Sequence, residues 1–154
     1  MLHTIETKQV LHCDIQTAWD FLRSPENLAK ITPPYMGFHI LSDRNSIKDM
    51  YPGQIIEYYV TTLAGLKMHW VTEITHVQEL SYFVDEQRFG PYAFWHHKHF
   101  LKAHPQGVEM HDIVHYKAPF GVLGRLANAL FLKKKLKEIF EYREKTLHQL
   151  FNTK

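Results

Sequence analysis

The sequence predicts an α+β chain in which a strongly curved antiparallel sheet of seven strands wraps one long C-terminal helix, with two short helices after the first strand. Three observations predict it. Val122 to Phe151 reads at helical period, with Leu126, Leu130, Leu136, Ile139, Phe140, Leu147, Leu150 and Phe151 on one apolar stripe. Glu138, Glu141, Glu144, Lys145 and the run Lys133-Lys134-Lys135 fall largely on the other side. The preceding hundred residues read almost entirely as strands, and the turns between them are short enough to pair neighbours antiparallel. A helix of that length, roughly 40 Å at ~1.5 Å per residue, needs a large apolar surface to lie on.

Size and composition bound the answer. A chain of 154 residues with 45% hydrophobic and 22% charged content can bury a substantial core as one domain spanning 1–154. A net charge of +2 is too small to point to a nucleic-acid partner. The lone Cys13 forms no internal disulfide and no zinc pattern, which fits a reducing interior. The first residues lack an apolar leader core, and no apolar run is long enough to span a bilayer, so a cytoplasmic protein is expected. The chain carries 12 His and 14% aromatic residues, and these concentrate where the chemistry is sought below.

In chain order, His3 to His12 alternates as a first strand with Ile5, Thr7, Gln9 and Leu11 on one face. Asp14 is the expected N-cap of a helix over Ile15 to Leu22 that carries Trp19 and Phe21. Ser24 and Pro25 start a second short helix, and Thr32-Pro33-Pro34 stops it. Two short helices in a row make a V-shaped support rather than a crossover. Gly37 to Ser42 is a short strand, followed by a polar loop to Pro52-Gly53. Gln54 to Leu63 and Lys67 to Val77 form a hairpin; with Leu63 opposite Lys67, Ile56, Tyr58, Val60 and Thr62 share a face with Met68, Trp70, Thr72 and Ile74. Glu57, Lys67, His69 and Glu73 take the solvated face. A strand from Phe83 places Phe83, Asp85, Gln87 and Phe89 inward, and Gly90-Pro91-Tyr92 is the next turn. Phe94 to Ala103 and Val108 to Ala118 make the last hairpin. A curved sheet gripping one helix cannot pack flush everywhere, so a cavity between them is expected.

The loop lengths fix the register of the polar residues on that inner face. With Ala103 opposite Val108, His99 opposes Asp112, His97 opposes Val114 and Trp95 opposes Tyr116. The three-residue turn sets Asp85 opposite His97, Gln87 opposite Trp95 and Phe83 opposite His99. Two acid–imidazole pairs, Asp85 with His97 and His99 with Asp112, thus sit among aromatics, and a one-residue slip would separate both. Arg143 interrupts the apolar stripe of the helix, which leaves two placements: turned inward toward these acids, or snorkelling to the edge of the sheet. Three readings fit the cluster. It is a buried network in which each carboxylate satisfies an imidazole, the polar end of an apolar ligand pocket, or an acid–base pair, since a carboxylate-oriented His is the usual general base near neutral pH. His97 and His99 with Asp112 across also resemble a two-His-one-carboxylate metal set. Each imidazole then already has its carboxylate, and no third ordered ligand is evident, so no metal and no cofactor are expected.

The segments Phe83-x-Asp85-x-Gln87-x-x-Gly90-Pro91-Tyr92, Trp95-x-His97-x-His99-Phe100 and Asp112-x-Val114-x-Tyr116-x-x-Pro119-Phe120-Gly121 resemble bacterial members of the START-like, helix-grip superfamily called SRPBCC. Tyr51-Pro52-Gly53-Gln54 and Phe140-x-x-Arg143 are similar too, and the resemblance spans essentially the whole chain. It implies a deep cavity that holds apolar small molecules such as lipids, sterols or polyketides. Relatives carry labels as different as cell-division inhibitor, polyketide cyclase/dehydrase and lipid transport, and no catalytic motif carries over. The expected function is therefore binding of a hydrophobic or amphipathic small molecule. Tyr58, Val60, Met68, Trp70, Phe83, Trp95, Tyr116 and helix residues from Leu126 to Leu136, Leu130 among them, line the pocket. Asp85, Gln87, His97, His99, Asp112 and Arg143 form its polar end. The alternatives are a cyclase- or dehydratase-type enzyme with His97, His99, Asp85 and Asp112 as catalytic candidates, and a regulatory protein-interaction module. A monomer or weak homodimer is expected. The basic helix run beside Leu130 to Leu132 is compatible with weak contact to an anionic membrane, though a solvated helix face explains it as well.

Overall fold

In a computed structural model, which describes residues 1–61, 65–121, 126 and 131–153, the elements follow the predicted order. Strand β1 (His3–Leu11) leads into α1 (Ile15–Leu22) and α2 (Pro25–Lys30). Then come β2 (His39–Ile40), β3 (Gln54–Thr61), β4 (Lys67–Gln78), β5 (Tyr82–Phe89), β6 (Phe94–His104) and β7 (Gly107–Lys117). Helix α3 (Lys133–Phe151) closes the chain. All seven strands form one antiparallel sheet in the order β1-β7-β6-β5-β4-β3-β2. β1 pairs along its whole length with β7, so the two edges are β1 and the two-residue β2. The helices α1 and α2 connect those opposite edges, α1 against β6 and β7 and α2 against β2.

Local chemistry accounts for these elements. Asp14 caps α1 as expected, its Oδ1 accepting from the Thr17 backbone N–H at 2.8 Å. Pro25 takes the first position of α2, while the Ser24 hydroxyl makes no cap bond. A 3-10 turn at Pro34–Met36, unforeseen in the sequence, ends in Gly37 with a left-handed φ of 51°. Gly107 opens β7 because a Cβ there would stand 2.1 Å from the Leu11 carbonyl oxygen, so any side chain would force apart the start of β7 and the end of β1. Gln54 is 2% exposed, and its amide donates to the Ser46 and Asp49 carbonyls, pinning the polar loop before β3.

Several expectations are corrected. Lys67 pairs with Thr61 rather than Leu63; a shift of two residues preserves the side-chain faces, so Tyr58↔Trp70 and Val60↔Met68 still share the inner face. Thr62 and Leu63 lie outside the described residues. A β-bulge between Val71 and Thr72 changes the register with β5 and turns Phe89 outward, where it is 59% exposed and its ring lies 5.9 Å from His69. The described α-helix begins at Lys133 and spans roughly 28 Å. Phe131 and Leu132 form a wide π-type turn ahead of it. Its buried face is Leu136, Phe140, Arg143 and Leu147, a narrower stripe than predicted. Leu126 and Leu150 are at least half exposed, and at the C-terminus Phe151 packs edge-on against Phe21 instead. Among the described residues no helix is long and apolar enough to cross a membrane.

The core has three clusters of buried residues: Ile56, Tyr58, Val60, Trp70 and Ile74 line the cavity between sheet and helices, and two more pack around it. One joins Leu11, Trp19, Phe83, Leu101, Met110 and Leu147 under α1. The other sets Val114 and Tyr116 of β7 against Leu136 and Phe140 of α3.

Candidate functional site

The cavity has a volume of about 170 Å³. Its floor is the inner face of β3 to β6, and its rim and roof are α1, α2, the Pro34–Met36 turn and α3. Period-2 alternation along the strands brings Tyr58, Val60, Trp70, Phe83, Asp85, Trp95, His97 and His99 to this wall, and helical period brings Arg143 down from α3. These nine and Leu136 of α3 are expected residues that line the cavity. Met68 is half-buried beside it across from Val60, and Tyr116, 1% exposed, belongs to the packed core against α3. Gln87 clamps the following turn, donating to the Tyr92 carbonyl at 2.7 Å and accepting from the Tyr92 N–H at 3.1 Å. Asp112 lies behind the histidines, and Leu130 lies outside the described residues. Sequence reasoning missed the α1–α2 contribution, chiefly Phe21, Leu28 and Ile31, and also Phe38, Met50 and Tyr92. The apolar side of α1 and α2 was the available signal.

One end of the cavity is aromatic. Tyr58 stacks on Trp70 with centroids 5.9 Å apart, Trp95 meets Trp70 edge-on at 5.5 Å, and Tyr92 lies 4.8 Å from Trp95. Burial pushes the Tyr58 and Tyr92 hydroxyls up, so both stay neutral, and the Tyr58 hydroxyl shares a 2.8 Å hydrogen bond with Thr72. The indole N–H of Trp70 is buried with no hydrogen-bond partner among the described residues.

The other end is a polar wall built across three strands. The predicted pairings Asp85↔His97 and His99↔Asp112 are present in the backbone register. The side chains distribute themselves differently. Asp85 Oδ2 takes its short contact, 2.7 Å, from Nε2 of the diagonal His99, and stands 3.6 Å from Nδ1 of the opposing His97. On the far side of the same rings, Asp112 Oδ1 lies 2.8 Å from His99 Nδ1 and 3.4 Å from His97 Nε2. The two imidazoles lie with centroids 3.7 Å apart and planes tilted by 37°, and Phe83 stacks on His99 at 4.1 Å. Arg143 reaches in from α3, its Nε donating to Asp112 Oδ2 at 3.0 Å. His97 Nε2 and Asp112 Oδ1 are buried without a well-directed hydrogen bond among the described residues.

Electrostatics divide the two histidines. Burial, then the charge of His99, push His97 below the ordinary imidazole value despite Asp112 and Asp85. Burial opposes a charge on His99 as well, but Asp112 and Asp85 outweigh it and raise that ring. Burial likewise works against both carboxylates. Arg143 and His99 nevertheless hold Asp112 well below the usual range, and His97 and His99 hold Asp85 below it. The wall therefore has a neutral imidazole beside one that retains its proton more strongly.

Solved structures with this fold share very little sequence with the chain. Protein CV1439 from Chromobacterium violaceum is 16% identical over 98% of each chain, with a TM-score of 0.72. The fold is a helix grip. The same helix-grip architecture occurs in TTHA0849 from Thermus thermophilus, 12% identical over 96% of this chain and 95% of that one, TM-score 0.69. It occurs also in Ara h 8.0201, 14% identical over 97% and 99%, TM-score 0.58. No protein-family model matches the chain, and no curated protein matches it either. At these identities the likeness establishes the helix grip and leaves the chemistry to the site itself.

Proposed function

We propose that this protein binds a hydrophobic or amphipathic small molecule, lipid-, sterol- or polyketide-like in shape, between the sheet and α3. The observation that carries the reading is the cavity wall: aromatic and aliphatic from Phe21 to Trp95, with all its buried charge gathered at one end. Such a wall excludes water from an apolar body and holds a single polar group in place. Proteins of this fold typically hold apolar ligands in the corresponding space, which supports the same reading. The test is native mass spectrometry of freshly purified protein with organic extraction of anything retained, followed by titration with a fluorescent fatty-acid analogue. Saturable binding that a space-filling Val60→Trp variant loses, with its circular dichroism unchanged, is expected. Binding that is absent, or indifferent to that filling, would overturn the reading.

A second reading, a cyclase- or dehydratase-type enzyme, is favoured by the placement of His97 and Asp85 on the cavity surface. Replacing His97 and His99 by Gln separates the two. A binder keeps much of its affinity, whereas acid–base turnover of a bound carbonyl compound falls by about 100-fold or more.

A further inference from the structure

Asp85, His97 and His99 each offer one donor atom within 4.8 Å of the other two. They come from adjacent positions on β5 and β6: His97 and His99 share a face two residues apart, and Asp85 is the cross-strand partner of His97. Asp85 Oδ2 stands 2.7 Å from His99 Nε2 and 3.6 Å from His97 Nδ1. Ligands ~2.0–2.2 Å from a first-row metal lie about 3.0–3.4 Å from each other. The two Asp85 separations bracket that value, and small rotamer shifts about the set, all within 4.8 Å, would bring the three onto one ion. All three residues line the cavity, which leaves the remaining coordination positions open to it.

The residues behind the three complete the pattern. The ring nitrogens that point away from Asp85, His97 Nε2 and His99 Nδ1, both face Asp112 Oδ1 at 3.4 and 2.8 Å. Asp112 is in turn anchored through its other oxygen by Arg143. A carboxylate on the rear nitrogen fixes the tautomer and orientation of a metal-bound imidazole. The sequence suggested Asp112 as the third ligand and so left each imidazole already partnered. In the folded protein Asp85 occupies the ligand side and Asp112 the supporting side. A cation on His97 Nδ1 would place the ring proton on Nε2, the nitrogen that faces Asp112 Oδ1 at 3.4 Å. Two carboxylates against one guanidinium leave a net negative charge for a dication to neutralise, with both imidazoles neutral.

We propose that Asp85, His97 and His99 form a binding site for one divalent first-row transition cation on the cavity wall, with Asp112 as its positioning residue. The mixed nitrogen and oxygen donor set suits zinc, iron or cobalt better than calcium or magnesium. Cation uptake requires no apolar occupant, so its test stands apart from that of small-molecule binding.

The experiment uses the full chain, stripped by chelator and dialysed, then titrated with Zn²⁺ by calorimetry and with Co²⁺ by visible absorption. One equivalent bound is expected. Asp112→Asn weakens binding about 10- to 100-fold, and Asp85→Asn and His97→Gln weaken it more. His69→Gln and His111→Gln on the outer face leave it unchanged. X-ray absorption of the zinc-loaded wild type requires no variant and should give two imidazoles with oxygen ligands and no sulfur. Failure of the stripped protein to take up an equivalent would overturn the site. So would uptake that survives intact in folded Asp85→Asn, or a zinc spectrum with fewer than two imidazoles.

Discussion

The two ends of the cavity are made from the same inner face of one sheet, yet they are held together by opposite physics. At the β3–β4 end, Tyr58, Trp70, Tyr92 and Trp95 meet through ring faces and edges, contacts that are individually small and tolerant of displacement. At the β5–β7 end, Asp85, His97, His99, Asp112 and Arg143 depend on a few directed contacts between groups that water would otherwise solvate. An apolar wall can lose a side chain and relax. A buried charge network that loses one member leaves another charge uncompensated. Asp112→Ala is therefore expected to be the most damaging single change considered, costing about 3–5 kcal/mol because Arg143 would remain buried without its carboxylate. Urea denaturation measures it. The double variant Asp112→Leu, Arg143→Met should recover most of the loss, and a double variant as unstable as the single would mean that the pair holds the fold through more than its own charges.

A smaller effect is expected at the aromatic end. Ile74 is 3% exposed and lines the cavity, so truncation to Ala enlarges a space that already exists instead of opening a new one. The cost should fall near the low end of the range for such truncations, about 2 kcal/mol. Leu147→Ala, in the close-packed region against Leu11 and Trp19, should cost clearly more by the same urea measurement. Equal costs would erase the distinction between a lined cavity and a filled core.

Legibility in the sequence follows the same division. Period-2 alternation and short loops sufficed for the seven strands, and the register of the last hairpin, Ala103 opposite Val108, placed the histidines and acids correctly because each loop length left little choice. One cation in an apolar stripe marked Arg143 as either turned inward or snorkelling, and its bond to Asp112 decides for the inward turn. Three things were not. The bulge that ejects Phe89 leaves no mark in the alternation pattern. The capture of Asp85 by the diagonal His99 instead of the opposing His97 depends on rotamers, which pattern reading does not determine. The narrowing of the helix stripe depends on where the sheet ends: Leu150 has the right period for burial but little beneath it.

Trp70→Phe sharpens the comparison at a smaller scale. The change removes part of a large apolar surface, which is destabilising, and a buried unpartnered N–H, which is stabilising by about 1–3 kcal/mol. The two effects nearly cancel, so a net change under about 1 kcal/mol is expected in thermal or urea unfolding. A loss near that of Ile74→Ala would mean that the indole N–H has a partner in solution, such as an ordered water.

The smallest effect expected separates inner from outer histidines. His115 is on the outer face of β7 opposite His96, with Lys98 nearby on β6 and Thr4 opposite on β1. Partial burial, then Lys98 and His96, lower its proton affinity in the folded chain. As pH falls the unfolded chain takes up this proton first, so folding should weaken through and below the ordinary imidazole range near ~6.5. His115→Gln should flatten that slope slightly while leaving the urea midpoint at higher pH unchanged. Fixed positive charge at Lys98 supplies part of the effect, so raising the salt concentration should shrink it in the wild type. A slope that is indifferent to both His115→Gln and salt would assign the acid sensitivity to the inner wall, where carboxylates and imidazoles are shielded from the solvent ions.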